Sequence, residues 1–467
     1  MGEGRLGRGG KLTLVGVFIG LFLAALDQTV VATALPRILE EIGGQAWYGW
    51  VGATYLLGST LSAPIAGRLV EIVPRRAVLL GSLFLFGVGS ALCGLSSTFL
   101  ELVLYRLVQG IGGGALFSLA FTTLAWFFPP RERSRWAGLI GAIFGVASAV
   151  GPPIGGYLAY YLSWRWAFWG NLPFLFAAFG FVWRFLPGHA PAERGSFDGV
   201  GAILLAGWTV PFLLAFSFWG PERLGDPLWG TVLFMVGVIF LGIWVRHELR
   251  VRSPLFELRL VQVSTFRHAA IAGFFFGPVF LGGVTFFPLY LQSVLGYTPS
   301  ESGFLLLAFT VGAVLSTGGV GAWVSRHGRY KPILLVGALF LFAFLILAAV
   351  ALPRFISVYV LLLVMIGAAI SLGPFQALLS VVGQNDIPPA RIGSVTSAIQ
   401  FMRQVGSTVG LAILNLLYLN GGGVKMSIWT GLRWVFGGAA LMALFLFVTV
   451  WLMPDGRLRQ RHPIEVE

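Results

Sequence analysis

Charge is what this chain of 467 residues has least of. Only 10% of its residues are Asp, Glu, Lys or Arg, against about 25% in a soluble domain, too few to build a water-facing surface. Cysteine is nearly absent, Cys93 standing alone, so a disulfide scaffold is excluded. A phosphate loop is missing as well. Gly10-Lys11 comes nearest, but Arg5 fills the first glycine position and Leu12 the hydroxyl position, which argues against ATP as a driver. Of the five histidines, His189, His247, His327 and His462 fall in loops or the tail and His268 at a helix end. Neither a histidine proton relay, nor a metal or redox site, nor a serine–histidine–acid arrangement can be built from them. No enzyme and no cofactor are expected.

What the chain does have is apolar sequence: 57% of it is hydrophobic, which excludes disorder and points to a polytopic membrane protein. Runs long enough to cross a bilayer, about 20 residues each, are expected at 13–35, 48–70, 77–97, 101–126, 136–159, 166–186, 198–219, 228–246, 268–292, 302–323, 332–351, 356–381, 392–418 and 429–453. These fourteen spans leave only short loops and no room for a soluble catalytic domain. The first is too long for a cleaved signal peptide and holds an acid.

The net charge of +13 raises the question of nucleic acid, and the positions of the bases answer it. Arg37, Arg165, Arg223, Arg354, Lys425 and Arg433 fall on one side of the spans, and Arg106 and Arg403 inside them. Every other Lys and Arg falls on the opposite side, in loops such as Arg75-Arg76, Arg131–Arg135, Arg184 with Arg194, and Arg326–Lys331, or in the tails at Arg5 and Arg461. The positive-inside bias therefore places both termini in the cytoplasm and implies a multi-pass protein of the cytoplasmic membrane. Partnership with nucleic acid is not expected.

Two segments look alike. Gly67-Arg-Leu-Val-Glu71-Ile-Val-Pro-Arg75-Arg76 closes the second span, and Gly321-Ala-Trp-Val-Ser-Arg326-His-Gly328-Arg329-Tyr closes the tenth. Each is a glycine at a helix end followed by a short basic turn, although any short cytoplasmic turn tends to be basic. Read as a repeat, they divide the chain into a six-helix bundle at 1–190, a two-helix insert with its following loop at 191–250, and a second six-helix bundle at 251–467. Transporters are commonly built from such repeats, with the substrate path between them.

Further motifs carry a family resemblance. They are Leu26-Asp27-Gln-Thr-Val-Val-Ala-Thr-Ala-Leu-Pro36, Arg106-Leu-Val-Gln109-Gly-Ile-Gly-Gly113, Gly151-Pro152-Pro153-Ile-Gly155-Gly156 after Gly141, Gly145 and Ala149, and Trp164-Arg-Trp166-Ala-Phe-Trp-Gly-Asn171-Leu-Pro173. With Leu291-Gln292 to Gly296-Tyr297 and Arg403-Gln404-Val-Gly406, the chain resembles the major facilitator superfamily, and within it the fourteen-helix drug–proton antiporters. The resemblance implies an all-α fold of two six-helix bundles plus two inserted helices, and an antiporter signature at Gly145, Gly151, Pro152, Gly155 and Gly156. It implies gating loops at Gly67, Glu71, Arg75, Arg76, Gly321, Arg326, Gly328 and Arg329. There the chain departs from the pattern. The family favours Asp at Glu71, a base at Ile72 and Gly at Pro74, and the second copy has Ser325 in the acidic position.

Asp27 is the one acid placed deep in a span. An ionised group at mid-membrane costs roughly 2.5–3.5 kcal/mol on insertion scales, so it faces a cavity or a partner. Desolvation favours its neutral form, which suits a proton carrier; the plainer alternative is a carboxylate salt-bridged to Arg106 or Arg403. Arg106 stays charged and would hold Asp27 ionised until the two separate. Gln109, one turn on, would bind water in the same cavity or simply join two helices. Arg403 is either a counter-charge to Asp27, a site for an anionic headgroup, or helix glue. Aromatic candidates for the cavity wall are Tyr55, Phe280, Tyr290 and Phe375, drawn from a run that also holds Phe274–Phe276, Phe286 and Phe287. Trp47, Tyr48, Trp164 and Trp166 read as interfacial anchors.

The glycines of the fifth span, at small-xxx-small spacing, are expected to bring helices close, and Pro152-Pro153 to bend it. The expected function is an alternating-access exporter of lipophilic or cationic drug-like compounds, driven by the proton-motive force, in which protonation of Asp27 and occupancy by substrate compete for one cavity. An exporter or flippase of lipids or anionic amphiphiles is the alternative on the same fold. A channel or non-transporting sensor ranks below both. A monomer in the lipid bilayer is expected.

Overall fold

The computed structural model describes residues 7–44, 50–188, 196–219, 226–351, 358–420 and 428–459. Arg5, Trp47, Tyr48, His189, Arg194, Arg223, Arg354, Lys425, Arg461 and His462 lie outside the described residues, as do the expected boundary at 190 and the starts of the spans expected from 48 and 356.

Fourteen long helical elements appear among the described residues: α1 (Arg8–Ile42), α2 (Trp50–Ile72), α3 (Arg75–Leu95), α4 (Phe99–Phe127), α5 (Pro130–Tyr161), α6 (Trp166–Phe185, broken at Gly170), α7 (Gly199–Trp219), α8 (Pro227–Glu248), α9 (Ser264–Ser293), α10 (Pro299–His327), α11 (Lys331–Ala351), α12 (Val358–Gly383), α13 (Ile392–Asn420) and α14 (Ile428–Leu452). Each meets one of the expected spans. Several run longer than their apolar core because polar ends are helical too. At the end of α1, Arg37 reaches Glu40 one turn on at 2.8 Å, and α5 begins at Pro130, whose missing N–H costs nothing in a first turn. Thr98 with Glu101 and Thr298 with Glu301 form capping boxes that start α4 and α10. The helix of α5 continues through Pro152-Pro153 without a break. The sole extended pairing among the described residues is an isolated bridge between Arg329 and Arg457.

Packing repeats with an offset of eight helices. In the first half α1 lies on α5 and α6, α2 on α4, and α3 on α4 and α6; in the second, α9 lies on α13 and α14, α10 on α12, and α11 on α12 and α14. The halves meet chiefly through α2 with α13 and α5 with α10, and less through α4 with α13 and α5 with α12; the same offset exchanges the members of each pair. Twelve of the helices are long and apolar enough to cross a membrane; α2 and α13 are more polar. Ser59, Thr60 and Gln404 place that polarity where the two helices meet, while Thr396 and Gln400 are bonded to Gln384 and Ser380 within the second half, so none of it is spent on lipid. The outer faces are apolar, with Phe84, Phe176, Ile203 and Leu315 exposed, as a lipid-facing surface requires.

The α7–α8 hairpin is attached by aromatic contacts. Trp208 meets Phe401 of α13 edge-on at 5.7 Å and Trp244 at 6.0 Å, while Trp244 meets Phe256 at 5.5 Å. Aromatic pairs at such distances add to plain area burial, and they tie the insert to one of the seam helices.

Candidate functional site

The deep acid is enclosed by its own half. Asp27 on α1 is 1% exposed and forms a salt bridge with Arg106 on α4, itself 2% exposed. Gln109 Nε2 donates to Asp27 Oδ1 at 2.8 Å, and Asn171 Nδ2 of α6 donates to the same oxygen at 3.4 Å. Arg106 Nη1 also donates to Gln109 Oε1 at 2.7 Å, and its guanidinium lies over the Tyr55 ring at 4.4 Å. Ser90 on α3 closes the network, accepting from Gln109 and Asn171 at 3.2 Å each and donating to Phe168 O at 2.8 Å. Side chains of five helices thus form one network around this carboxylate. Burial of such a pair is offset by further hydrogen bonds, here from Gln109 and Asn171 to Asp27 and from Arg106 Nε to Val51 O.

The cavity lies elsewhere, between the halves. Its larger lobe, about 240 Å³, is lined by Gln28, Phe144, Phe280, Phe309, Val314 and Thr317 among others. A second lobe of about 120 Å³ shares Gln28, Phe144, Phe276, Phe280 and Gln376 with the first and adds Ser59, Thr60, Phe117, Arg403 and Gln404. Of the residues expected on its wall, Phe280 and Arg403 are there, and Phe375 borders a recess beside Arg403. Asp27, Tyr55 and Gln109 are not among the lining residues. They belong to the closed cluster behind α1, because Asp27 faces α4 while its neighbour Gln28 faces the seam. Tyr290 is 1% exposed and packs edge-on against Trp429 of α14 at 5.9 Å, inside the second half. Gln28 and Gln376 line both lobes instead, beside hydroxyls such as Ser148 and Thr310. Both glutamines are polar residues deep in apolar spans, a signal of the same kind that exposed Asp27.

The small residues of α5 divide between two neighbours. A Cβ at Gly145 would stand 2.1 Å from Val314 Cγ2 of α10, across the seam, whereas a Cβ at Gly151 or Gly155 would meet Thr29 or Thr33 Oγ1 of α1 at 1.8 and 2.2 Å. These glycines allow approaches that no side chain permits. Pro152 lines the cavity. Gly156 has open space where its Cβ would be, so it has no packing role.

The ends bearing the basic loops are drawn together. Glu71 on α2 accepts from the backbone and hydroxyl of Ser394 at the start of α13, at 2.7 and 2.8 Å, and from Arg68 at 2.8 Å. Gly67 allows this, since its Cβ would lie 2.1 Å from Ser397 Oγ. On the other contact, Arg131 of α5 donates to Ser325 O at 2.6 Å and to Arg326 O at the end of α10, and Ser134 donates to Gly321 O at 3.0 Å. Arg133 Nη1 reaches Gln384 Oε1 at 3.0 Å. Arg75 and Arg76 do not cross the seam; they lie over Trp126 and Trp183 of their own half. Gly328 ends α10 in a left-handed conformation, φ 76°, and Arg329 pairs with Arg457 of the tail. Tyr330 beside it donates to Pro454 O at 3.2 Å, with burial pushing its phenol up to about 12. The crossing arginines, Arg131 and Arg133, sit in a basic run that reads in sequence as topology alone.

A helical membrane protein with repeated halves around a central cavity is the architecture of a secondary transporter. The profile of the Major Facilitator Superfamily matches residues 17–411. The chain belongs to that superfamily, and is a transporter rather than an enzyme. It is similar to "Multidrug transporter protein MdtP" of Bacillus subtilis, 33% identical over 86% of this chain and 74% of that one. It is also similar to "Multidrug resistance protein 3" of the same organism, 29% identical over 88% and 80%. Among solved structures, the human organic anion transporter MFSD10 shares the fold, with a TM-score of 0.68 at 20% identity over 94% of this chain and 99% of that one.

Proposed function

We propose that the protein is a proton-coupled exporter of lipophilic, drug-like compounds working by alternating access, with Asp27 as the proton carrier. The observation that carries this reading is the enclosure of Asp27 by Arg106, Gln109 and Asn171, at the back of the helix whose front, at Gln28, lines the cavity. The similarity to multidrug transporters supports the cargo class.

Protonation of Asp27 removes the charge that holds Arg106 and weakens the joint between α1 and α4. Because Gly151 and Gly155 seat α1 directly on α5, a shift of α1 reaches the seam at Gly145 and Val314. Proton and cargo then compete through the position of α1 rather than for one space. With both termini in the cytoplasm of a cell whose inner membrane holds the protein, the tied loop ends close the path on the cytoplasmic side. Opening them requires Glu71 to release Ser394 and Arg131 to release α10. Each proton that enters down the potential supplies about 2.3 kcal/mol per 100 mV. The chain acts as a monomer in this scheme.

Proteoliposomes with an imposed pH gradient test it. Asp27→Asn is expected to abolish gradient-driven export while leaving cargo exchange in the absence of a gradient. Gradient-driven export by the variant at the native rate overturns the reading.

A further inference from the structure

The seam cavity holds one charge. Among the residues lining its two lobes and the recess beside them, there is no Asp, Glu, Lys or His; Arg403 is the only ionisable side chain. An arginine at this depth is expensive to keep, and the chain's other buried arginines show how it is offset. Arg68 has Glu71 and Arg106 has Asp27. Arg133 donates to Phe128 O, Ala125 O and Gln384 Oε1. Arg403 has none of these. Its hydrogen-bond partner among the described residues is Gln376 Oε1, at 3.1 Å, and one face of the guanidinium lies over the Phe117 ring at 4.7 Å. Asp27 does not supply the missing charge, being committed to Arg106.

A guanidinium has five N–H donors in a planar fork that matches a carboxylate or phosphate. Here the fork stands in the more polar lobe, with Ser59, Thr60 and Gln404 nearby, and opens onto a lobe walled by Phe144, Phe280 and Phe309. One lobe is cationic and the adjoining one apolar. A cationic guest finds no carboxylate here, and the fixed charge of Arg403 opposes its aromatic attraction to the walls.

We propose that the cavity binds amphiphiles bearing a single anionic group, with the carboxylate or phosphate ester on Arg403 and Gln376 and the apolar body against Phe144, Phe280 and Phe309. This rests on reading the seam cavity as the cargo site, and not on proton coupling. Gln404, next to Arg403 in the chain, accepts from Ser59 and Thr60 across the seam at 3.3 and 2.9 Å. An anion seated on Arg403 therefore adjoins the α2–α13 contact that alternation must loosen.

The experiment is a fluorescence titration of the purified full chain in phosphatidylcholine nanodiscs, without a pH gradient. The probes are dansylaminoundecanoate and its counterpart with a terminal amine. The native protein is expected to bind the carboxylate about tenfold or more tighter than the amine, the preference a charge-assisted pair supplies. Arg403→Gln should abolish that preference by weakening the carboxylate alone, Arg403→Lys should keep part of it, and Gln376→Leu should lose a few-fold while leaving Arg403 in place. Competition separates the sources of the anion. Displacement by dodecyl phosphate alone assigns a free amphiphile, and displacement also by phosphatidylglycerol in the disc extends the site to lipid headgroups. Equal or tighter binding of the amine by the native protein overturns the proposal, as does undiminished carboxylate affinity in both Arg403→Gln and Gln376→Leu. Asp27→Asn keeps the two readings apart: whatever becomes of its transport and absolute affinities, it should keep the preference for the carboxylate over the amine, because that preference belongs to Arg403.

Discussion

Glu71 of α2 caps the first turn of α13 through Ser394, taking its backbone N–H at 2.7 Å and its hydroxyl at 2.8 Å. The helix start is an anion site by its dipole and its unpaired N–H groups, so Glu71 serves the partner half as a cap supplied in trans. Glu71→Gln is expected to weaken the closed end by about 1–2 kcal/mol. Spin labels on the loop ends of α2 and α13 should then report a larger share of the separated conformation, and an unchanged distance distribution would contradict the cap's role.

Arg131 performs the opposite service for α10, holding the carbonyls of its last turn. Arg131→Gln should cost about 1 kcal/mol at the same end. The two contacts share no side chain, so the losses in Arg131→Gln and Glu71→Gln should add to within about 0.5 kcal/mol. Thermal unfolding of the single and double variants checks this.

Removing one member of the buried pair is worse than removing both. Arg106→Gln leaves Asp27 charged and enclosed, and should destabilise the protein by about 3–5 kcal/mol. Adding Asp27→Asn to that variant should restore much of the loss. A double variant less stable than Arg106→Gln would mean that hydrogen bonding around Asp27, and not its ion pair with Arg106, holds this cluster together.

The glycines of α5 should separate cleanly. Gly156→Ala is expected to stay within about 0.5 kcal/mol of the native protein, because its Cβ meets nothing. Gly145→Ala should impair transport by overpacking the seam, and Val314→Ala should rescue it by removing the atom struck. Efflux rates of the three proteins decide the matter.

Much of this was visible in the residue order. A bilayer sets the length of an apolar run, so fourteen runs read directly as fourteen helices, and Asp27 and Arg106 stood out because charge in such a run is costly. The arginines that hold the seam were not distinguishable from those that set topology, since Arg75 and Arg131 look alike in a basic turn. Nor could the aromatic-rich α9 reveal that Phe280 faces the cavity and Tyr290 faces α14.

The boundary between the two kinds of knowledge is the rotation of each helix and the identity of its neighbour. Composition and periodicity settle that a helix spans and which residues are too polar to meet lipid, because the solvent acts on each segment separately. Whether a polar residue meets an acid, a carbonyl or open space depends on close packing between segments hundreds of residues apart. That packing encloses Asp27 with Arg106, turns Gln28 to the seam, and leaves Arg403, alike in sequence as a deep charge, in the cavity without an acid beside it.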